Sequence, residues 1–204
     1  MKEQQIKIIQ EARENQIRWL NRFFVIPKKG KGKWLKIIDC SELNEQLQEE
    51  IFKMDDIHIL RGIKNQNDWM IKIDIESTYH HFQDNSNLRD FLRFNLKGIL
   101  FRYVTMPQDI KRTPLIIQKI LIKVMQFFRE TMQLRRIANS EKLIFFNQDK
   151  ELLTQQIPAI RRKLNSLGWI IAEEKSCLIP NQQVEFLGWR INSLEDRIQM
   201  TTER

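Results

Sequence analysis

The stretch WMIKIDIESTYHHF (Trp69–Phe82) begins as an apolar β-type run and ends that run on a carboxylate, Asp74. An aromatic, Tyr79, follows five residues later. A strand-end aspartate is either a hard-cation ligand or a residue held by a turn or a basic side chain. A pair of divalent ions needs further carboxylates facing the first. The downstream segment Arg136-Ile137-Ala138-Asn139-Ser140-Glu141-Lys142-Leu143 offers Glu141 alone.

Around this stretch the sequence has the make-up of a folded protein with a real core. Its 204 residues are 42% hydrophobic and 29% charged, enough for one domain or two joined lobes. No apolar run is long enough to span a bilayer, so no membrane partner is expected. The N-terminus, MKEQQIKIIQEARENQ, has no apolar signal core. Cys40 and Cys177 stand singly, which argues against a disulfide scaffold or a zinc site. An intracellular protein is expected, nuclear or cytoplasmic, with the mitochondrion left open. The net charge of +8 favours polyanionic partners, nucleic acid first.

Working outward, residues 1–21 are predicted as an N-terminal helix, with Ile6, Ile9, Ile17 and Leu20 on one face. Phe23–Pro27 and Trp34–Asp39 predict a β-hairpin whose tip, Lys28–Lys33, is basic and carries two glycines. Asp55–Ile63 reads as helix, Ser86–Arg93 as a polar, helix-compatible segment, and Gly98–Val104 as strand. Pro114 opens a helical stretch, Leu115–Leu134. Leu143–Phe146 reads as strand, and Asp149–Leu167 as an amphipathic helix closed by Gly168. Trp169–Ala172, Ser176–Ile179 and Val184–Ile191 read as short strands. The order is α+β with hairpins, and the expected sheet is antiparallel.

Several segments together resemble the reverse transcriptase (RNA-directed DNA polymerase) family, particularly retrotransposon enzymes of the DIRS and Gypsy-like kind. Phe24-Val25-Ile26-Pro27-Lys28-Lys29 with Trp34 and Ile37-Ile38-Asp39 is similar to that family's fingers hairpin. Asp74 and Tyr79 match its first catalytic carboxylate and sugar-facing aromatic. Met106-Pro107 with Pro114 matches the approach to the template-gripping helix. Leu167-Gly168-Trp169 with Glu174-Lys175-Ser176 matches the motif whose lysine lies near the triphosphate, and Val184–Gly188 the primer grip. The resemblance covers roughly residues 22–192. It implies fingers at about 22–68 and 80–110 and a palm at about 69–79 and 111–192, within a domain over 22–204. The palm sheet would be antiparallel and packed on helices, with no thumb or RNase H region in this chain.

The resemblance also shows departures. The family's partner hairpin carries aromatic-x-Asp-Asp; counted from Pro114 without gaps, these positions fall on Ala138, Asn139, Ser140 and Glu141. Asp74 would then be a residual catalytic residue with degenerate partners at Ser140 and Glu141, binding metal weakly or not at all. Asp109 stands at a glycine position, where it restricts the backbone and puts negative charge beside an expected nucleotide. Leu35 replaces an arginine that clamps the triphosphate. Lys28, Lys29, Lys33, Tyr79 and Lys175 remain as nucleotide- or nucleic-acid-binding candidates. Arg135, Arg136 and Lys142 flank the hairpin and are placed to pair with Asp74 or with phosphates.

The expected function is a catalytically inactive domain of retroelement origin, binding RNA or DNA or serving as a subunit of a larger assembly. No cofactor is expected, and Mg²⁺ only where activity remains. The alternatives are an active polymerase using two-metal nucleotidyl transfer and a protein-interaction scaffold without nucleic-acid contact.

Overall fold

The computed structural model describes residues 8–12, 19–27, 34–76 and 88–201. The chain falls into two units, Met1–Ile51 with Tyr79–Ile116 and Phe52–Thr78 with Ile117–Arg204. Residues 52–68, expected with the fingers, therefore belong to the unit that contains Asp74.

In the first unit, Ile9–Glu11 is strand β1, Arg22–Pro27 is β2, Trp34–Asp39 is β3 and Ser41–Glu45 is helix α1. Arg93–Leu96 is β5 and Ile99–Tyr103 is β6. β2 and β3 form the expected antiparallel hairpin, from Arg22↔Asp39 to Pro27↔Trp34. Its tip, with Lys28, Lys29 and Lys33, lies outside the described residues. The expected N-terminal helix is corrected over Ile9–Glu11, which pairs antiparallel with β6 in a three-stranded sheet of order β1-β6-β5. Ile8 and Ile9 are 6% and 2% exposed. Main-chain bonds extend the pairing, Ala12 N–H to Leu100 O at 2.9 Å and Val104 N–H to Ile8 O at 3.0 Å. Helix propensity is a weak preference, and a sheet edge that takes both the hydrogen bonds and the isoleucine side chains overrides it.

Ser86–Arg93 is also corrected: its described part is a single 3₁₀ turn, Leu88–Phe91, that leads into β5. The core here is Ile8, Ile9, Ile38, Leu43, Leu92, Phe94, Phe101, Tyr103 and Ile110, with Phe23 stacked on Phe94 at 4.5 Å between ring centroids. Asn21 ties the sheet to β2, its Nδ2 donating to Phe91 O at 2.6 Å and Arg93 O at 3.1 Å.

In the second unit, Ile57–Ile63 is α2, begun by Asp56, whose carboxylate accepts the His58 and Ile59 N–H groups at 2.9 and 3.1 Å. Trp69–Glu76 is β4, Arg135–Asn139 is β7 and Lys142–Asn147 is β8. Ile170–Ile171 is β9 and Cys177–Asn181 is β10. They form one sheet of order β10-β4-β8-β7, with β9 joined to the end of β4, and every pairing is antiparallel. The long helix α3, Thr113–Met132, and α4, Lys150–Ser166, follow the expected apolar periodicity. Asp149 caps α4 by accepting the Leu152 N–H at 2.9 Å, and Gly168, at φ 80°, terminates it.

Side chains alternate along β4 and so face opposite ways. Phe145, opposite Ile71 on β8, packs edge-on against Phe128 of α3 at 5.2 Å. Met70, Ile137, Ile144 and Phe146 pack with Leu60 and with Val184, Phe186 and Ile191. The last three come from a meander of β11 (Gln183–Phe186), β12 (Trp189–Asn192) and β13 (Arg197–Met200). Val184–Ile191 is thus two strands, turned at Leu187 and Gly188 with φ of 51° and 77°.

One polar anchor holds this unit together. Asp68 is fully buried and its carboxylate accepts from Arg135 Nη1 at 2.6 Å, from Arg135 Nη2, from Gln148 Nε2 and from the Asn65 N–H at 2.7 Å. Its carbonyl accepts from Ser193 Oγ at 2.6 Å. A buried carboxylate is tolerable when it is paired and hydrogen-bonded in this way.

Candidate nucleic-acid site around Asp74

Three hydrogen bonds from two segments fix the main chain at Asp74 and Ile75. Its N–H donates to Ser176 Oγ at 3.0 Å, and its carbonyl accepts the Ala172 N–H at 2.8 Å. The next residue, Ile75, donates its N–H to Glu141 O at 2.7 Å. The side chain lies on a buried strand end, with the residue 6% exposed. Among the described residues, no donor lies within hydrogen-bond distance of the carboxylate. A rigid backbone therefore presents an acceptor with nothing from the described chain bound to it.

The register decides what stands beside that carboxylate. β7 and β8 are joined by the two-residue turn Ser140–Glu141, with Asn139 paired to Lys142. Ser140 takes the left-handed conformation, φ 52°, which suits such tight hairpin turns. Lys142 is then directly across from Asp74 on β4. Directly opposed residues project from the same face, with Cβ atoms about 4.5–5.5 Å apart. Ser140 and Glu141, the positions that the count from Pro114 gives to the family's paired aspartates, form the turn of this hairpin, and Lys142 follows them. Ser140 Oγ points instead to Met54 Sδ at 3.6 Å, and Glu141 contributes its carbonyl to Ile75.

The row continues on the same face. Asn139, across from Lys142, donates through Nδ2 to Asp55 O at 2.6 Å, and Asp55 Oδ2 accepts the Ala138 N–H at 3.1 Å. Lys72 lies two residues before Asp74, on its face of β4. Lys72 and Lys142 are both half-buried, and among the described residues no ion pair joins either to Asp74. Asp74 accordingly shares its face with two lysines, one directly across the ladder and one two residues along the strand.

This donor set does not fit the paired divalent cations that the fold resemblance implies. Such ions need several oxygen ligands with compensating negative charge, whereas the neighbour here is a cation. Among the described residues no group of three or more His, Cys, Asp or Glu side chains could hold a metal ion.

The other candidates are dispersed. Arg135 is committed to Asp68 and to Ile63 O at 2.9 Å. Arg136 donates through Nε to Met125 O at 3.1 Å; burial lowers its pKa, Asp55 opposes that shift, and Arg129 adds to it. Neither reaches Asp74. Lys175 is exposed on the 3₁₀ turn Glu173–Lys175, next to the Ala172–Ser176 segment that holds Asp74. Tyr79 and the Leu35 side chain lie outside the described residues, as do His80 and His81. Lys72 was missed by the sequence reading, although its even spacing from Asp74 on an alternating strand was available as a signal.

In the first unit, Asp109 has a local structural role. Its Oδ2 accepts the Ile38 N–H at 3.4 Å, while Asn44 brackets its loop, Nδ2 donating to Asp109 O and Oδ1 accepting the Lys111 N–H, both at 2.8 Å. Burial raises the Asp109 pKa; the Ile38 bond works against this and Asp39 adds to it. Cys40 is buried beside both carboxylates, and burial first, then Asp109 and Asp39, push its thiol up to about 12.

Comparison with known proteins agrees with the fold. The family model "Reverse transcriptase (RNA-dependent DNA polymerase)" matches residues 26–191. The Gag-Pol polyprotein of bovine immunodeficiency virus (strain R29) is 23% identical over 203 residues, covering 94% of this chain and 14% of the polyprotein. Two foamy viral protease-reverse transcriptase structures share the fold. The one in complex with dsDNA has a TM-score of 0.85 at 15% identity, over 98% of this chain and 40% of that one. The one in complex with an RNA/DNA hybrid has a TM-score of 0.80 at 15% identity, over 96% and 25%. The chain thus spans about one seventh of the polyprotein's length. With the match running from the β2–β3 hairpin through the Asp74 sheet to β12, the chain belongs to the reverse transcriptase (RNA-dependent DNA polymerase) family.

Proposed function

We propose that this chain is a reverse-transcriptase-like domain of retroelement origin that has lost nucleotidyl transfer and binds RNA or DNA, inside the cell, as part of a larger assembly. The observation that carries the reading is Lys142 directly across from Asp74. A fixed ammonium repels the divalent cations that would activate a primer hydroxyl and stabilise departing pyrophosphate, and it attracts phosphate. The net charge of +8 points the same way, and the fold neighbours were captured with dsDNA and with an RNA/DNA hybrid.

Primer extension tests the loss of chemistry. On primed RNA and DNA templates, with Mg²⁺ or Mn²⁺, the chain should give no product above background. Extension that disappears in Asp74→Ala would overturn the reading. Binding is tested by fluorescence anisotropy with a labelled RNA/DNA hybrid, single-stranded RNA and duplex DNA. Affinity should fall steeply as salt rises; no binding at low salt would leave the scaffold role in its place.

A further inference from the structure

Resting on the nucleic-acid reading, we propose that Lys72, Asp74 and Lys142 form a metal-free phosphate site, in which two covalently held ammonium groups supply the charge that divalent ions would otherwise bring to a nucleic-acid strand. The geometry comes from three strands. Lys142 is opposite Asp74 across the β4–β8 ladder. Lys72 stands two residues along β4, about 7 Å away at the pleat spacing. Two adjacent cross-strand rows are involved, Cys177–Lys72–Ile144 and Asp74–Lys142–Asn139, so the two lysines are diagonal neighbours on one face.

Asp74 does not lock these lysines: among the described residues neither is closed into an ion pair with it, and the second carboxylate on this face, Glu76, is exposed at the end of β4. Asp74 acts by position: it is the one residue of the three next to both others, opposite Lys142 across the ladder and two residues along the strand from Lys72. The lysine stems are half-buried, which narrows the rotamers that each ammonium must give up on binding. A bridging phosphodiester oxygen between Lys72 and Lys142 is the ligand that this spacing and charge accept.

The test uses the full chain, a labelled RNA/DNA hybrid and Mn²⁺. Hybrid affinity of the wild-type chain should be the same within about twofold in EDTA and in Mg²⁺ at equal ionic strength. Lys142→Met should lower the slope of log K against log salt by about 0.9, one phosphate contact, equivalent to about an eightfold loss at 0.1 M salt. Lys72→Met should do the same, and the double variant should lower the slope by about 1.8. A purely structural role for these lysines would leave the slope unchanged, and an unchanged slope overturns the proposal, as does binding that requires Mg²⁺.

A second arm needs no nucleic acid. Mn²⁺ binding, followed by electron paramagnetic resonance, should be negligible in the wild-type chain, appear in Lys142→Asp and vanish again in Asp74→Asn/Lys142→Asp. Asp74-dependent Mn²⁺ binding by the wild-type chain would overturn the proposal. Should Lys142→Asp not fold, Lys142→Asn serves instead, with the same order of expected affinities. If no hybrid binds at any salt, the functional reading and the phosphate site fall together. If the hybrid binds with slopes that the lysine variants leave unchanged, the phosphate site alone falls.

Discussion

Replacing Asp68 by alanine should unfold the Asp74 unit at markedly lower denaturant, through a site remote from any ligand. The substitution removes the acceptor of both Arg135 nitrogens, of Gln148 Nε2 and of the Asn65 N–H at once. Breaking one side of a buried, hydrogen-bonded ion pair costs about 3–5 kcal/mol. The Arg135 side chain is 31% exposed, so water reaches the stranded guanidinium and the lower end, about 3 kcal/mol, is expected. In a chain of this length that is a fall in melting temperature of about 6–12 °C. Asp68→Asn keeps an acceptor of the same shape and loses the charge, and should cost about 2 kcal/mol. The assay is urea unfolding followed by circular dichroism, with Arg135→Met and the double variant completing a cycle. Arg135→Met strands a carboxylate that is itself 0% exposed and should cost at least as much as Asp68→Ala. A loss below about 1 kcal/mol for Asp68→Ala, or a coupling below about 0.5 kcal/mol, would refute the reasoning.

Other outcomes follow from the remaining anchors. Ser140→Gly should stabilise the chain by about 0.5 kcal/mol in the same unfolding assay, because glycine takes φ 52° without strain and part of that gain is offset in the unfolded chain; Ser140→Val should destabilise it. Asp109 has a folded-state pKa raised by burial, so its ionisation opposes folding above that range and not below it. Asp109→Asn should therefore raise the urea midpoint at pH 7, with the advantage shrinking as pH falls through the carboxyl range. A midpoint difference that grows toward acid pH would contradict this. Of the two cysteines, Cys177 is partly accessible while Cys40 is 2% exposed with its thiol pushed up to about 12. A thiol reagent at pH 8 should label Cys177 readily and Cys40 only after unfolding, as read by peptide mass mapping.

Much of the architecture was legible because it rests on local signals. The alternation in Phe23–Pro27 and Trp34–Asp39, the apolar run to Asp74, Pro114 at a helix start, and Asp149 with Gly168 at the ends of another each act within a few residues. The elements missed, β1, β5, β7 and β13, are three to five residues long, too short for a periodicity of their own; β1 pairs with a strand far along the chain, and the other three pair across short turns. The same distinction governs the site. Asp74 was visible as a carboxylate ending a strand, but its neighbour depends on a cross-strand register set by the turn at Ser140–Glu141. Lys142 was visible as one of three basic residues flanking the hairpin, but only the register singles it out from Arg135 and Arg136. Asp68 stood in the sequence as one residue of the approach to β4, and its partners Arg135 and Gln148 lie far along the chain.

The β1–β6 pairing has a practical consequence for where this fold can be cut. The family match begins at residue 26 and ends at 191, and a truncation to those limits would look natural. It would strip β6 of its outer partner, leaving an open row of strand N–H and C=O groups ready to pair with another molecule. It would also take Ile8 and Ile9 from the core and remove Asn21, whose amide ties Phe91 and Arg93. At the other end it would lose β13 and Ser193, which is fully buried and hydrogen-bonded to Asp68 O. Residues 26–191 alone should therefore express as self-associating material, and a soluble fragment should start no later than Ile8 and run through Thr201.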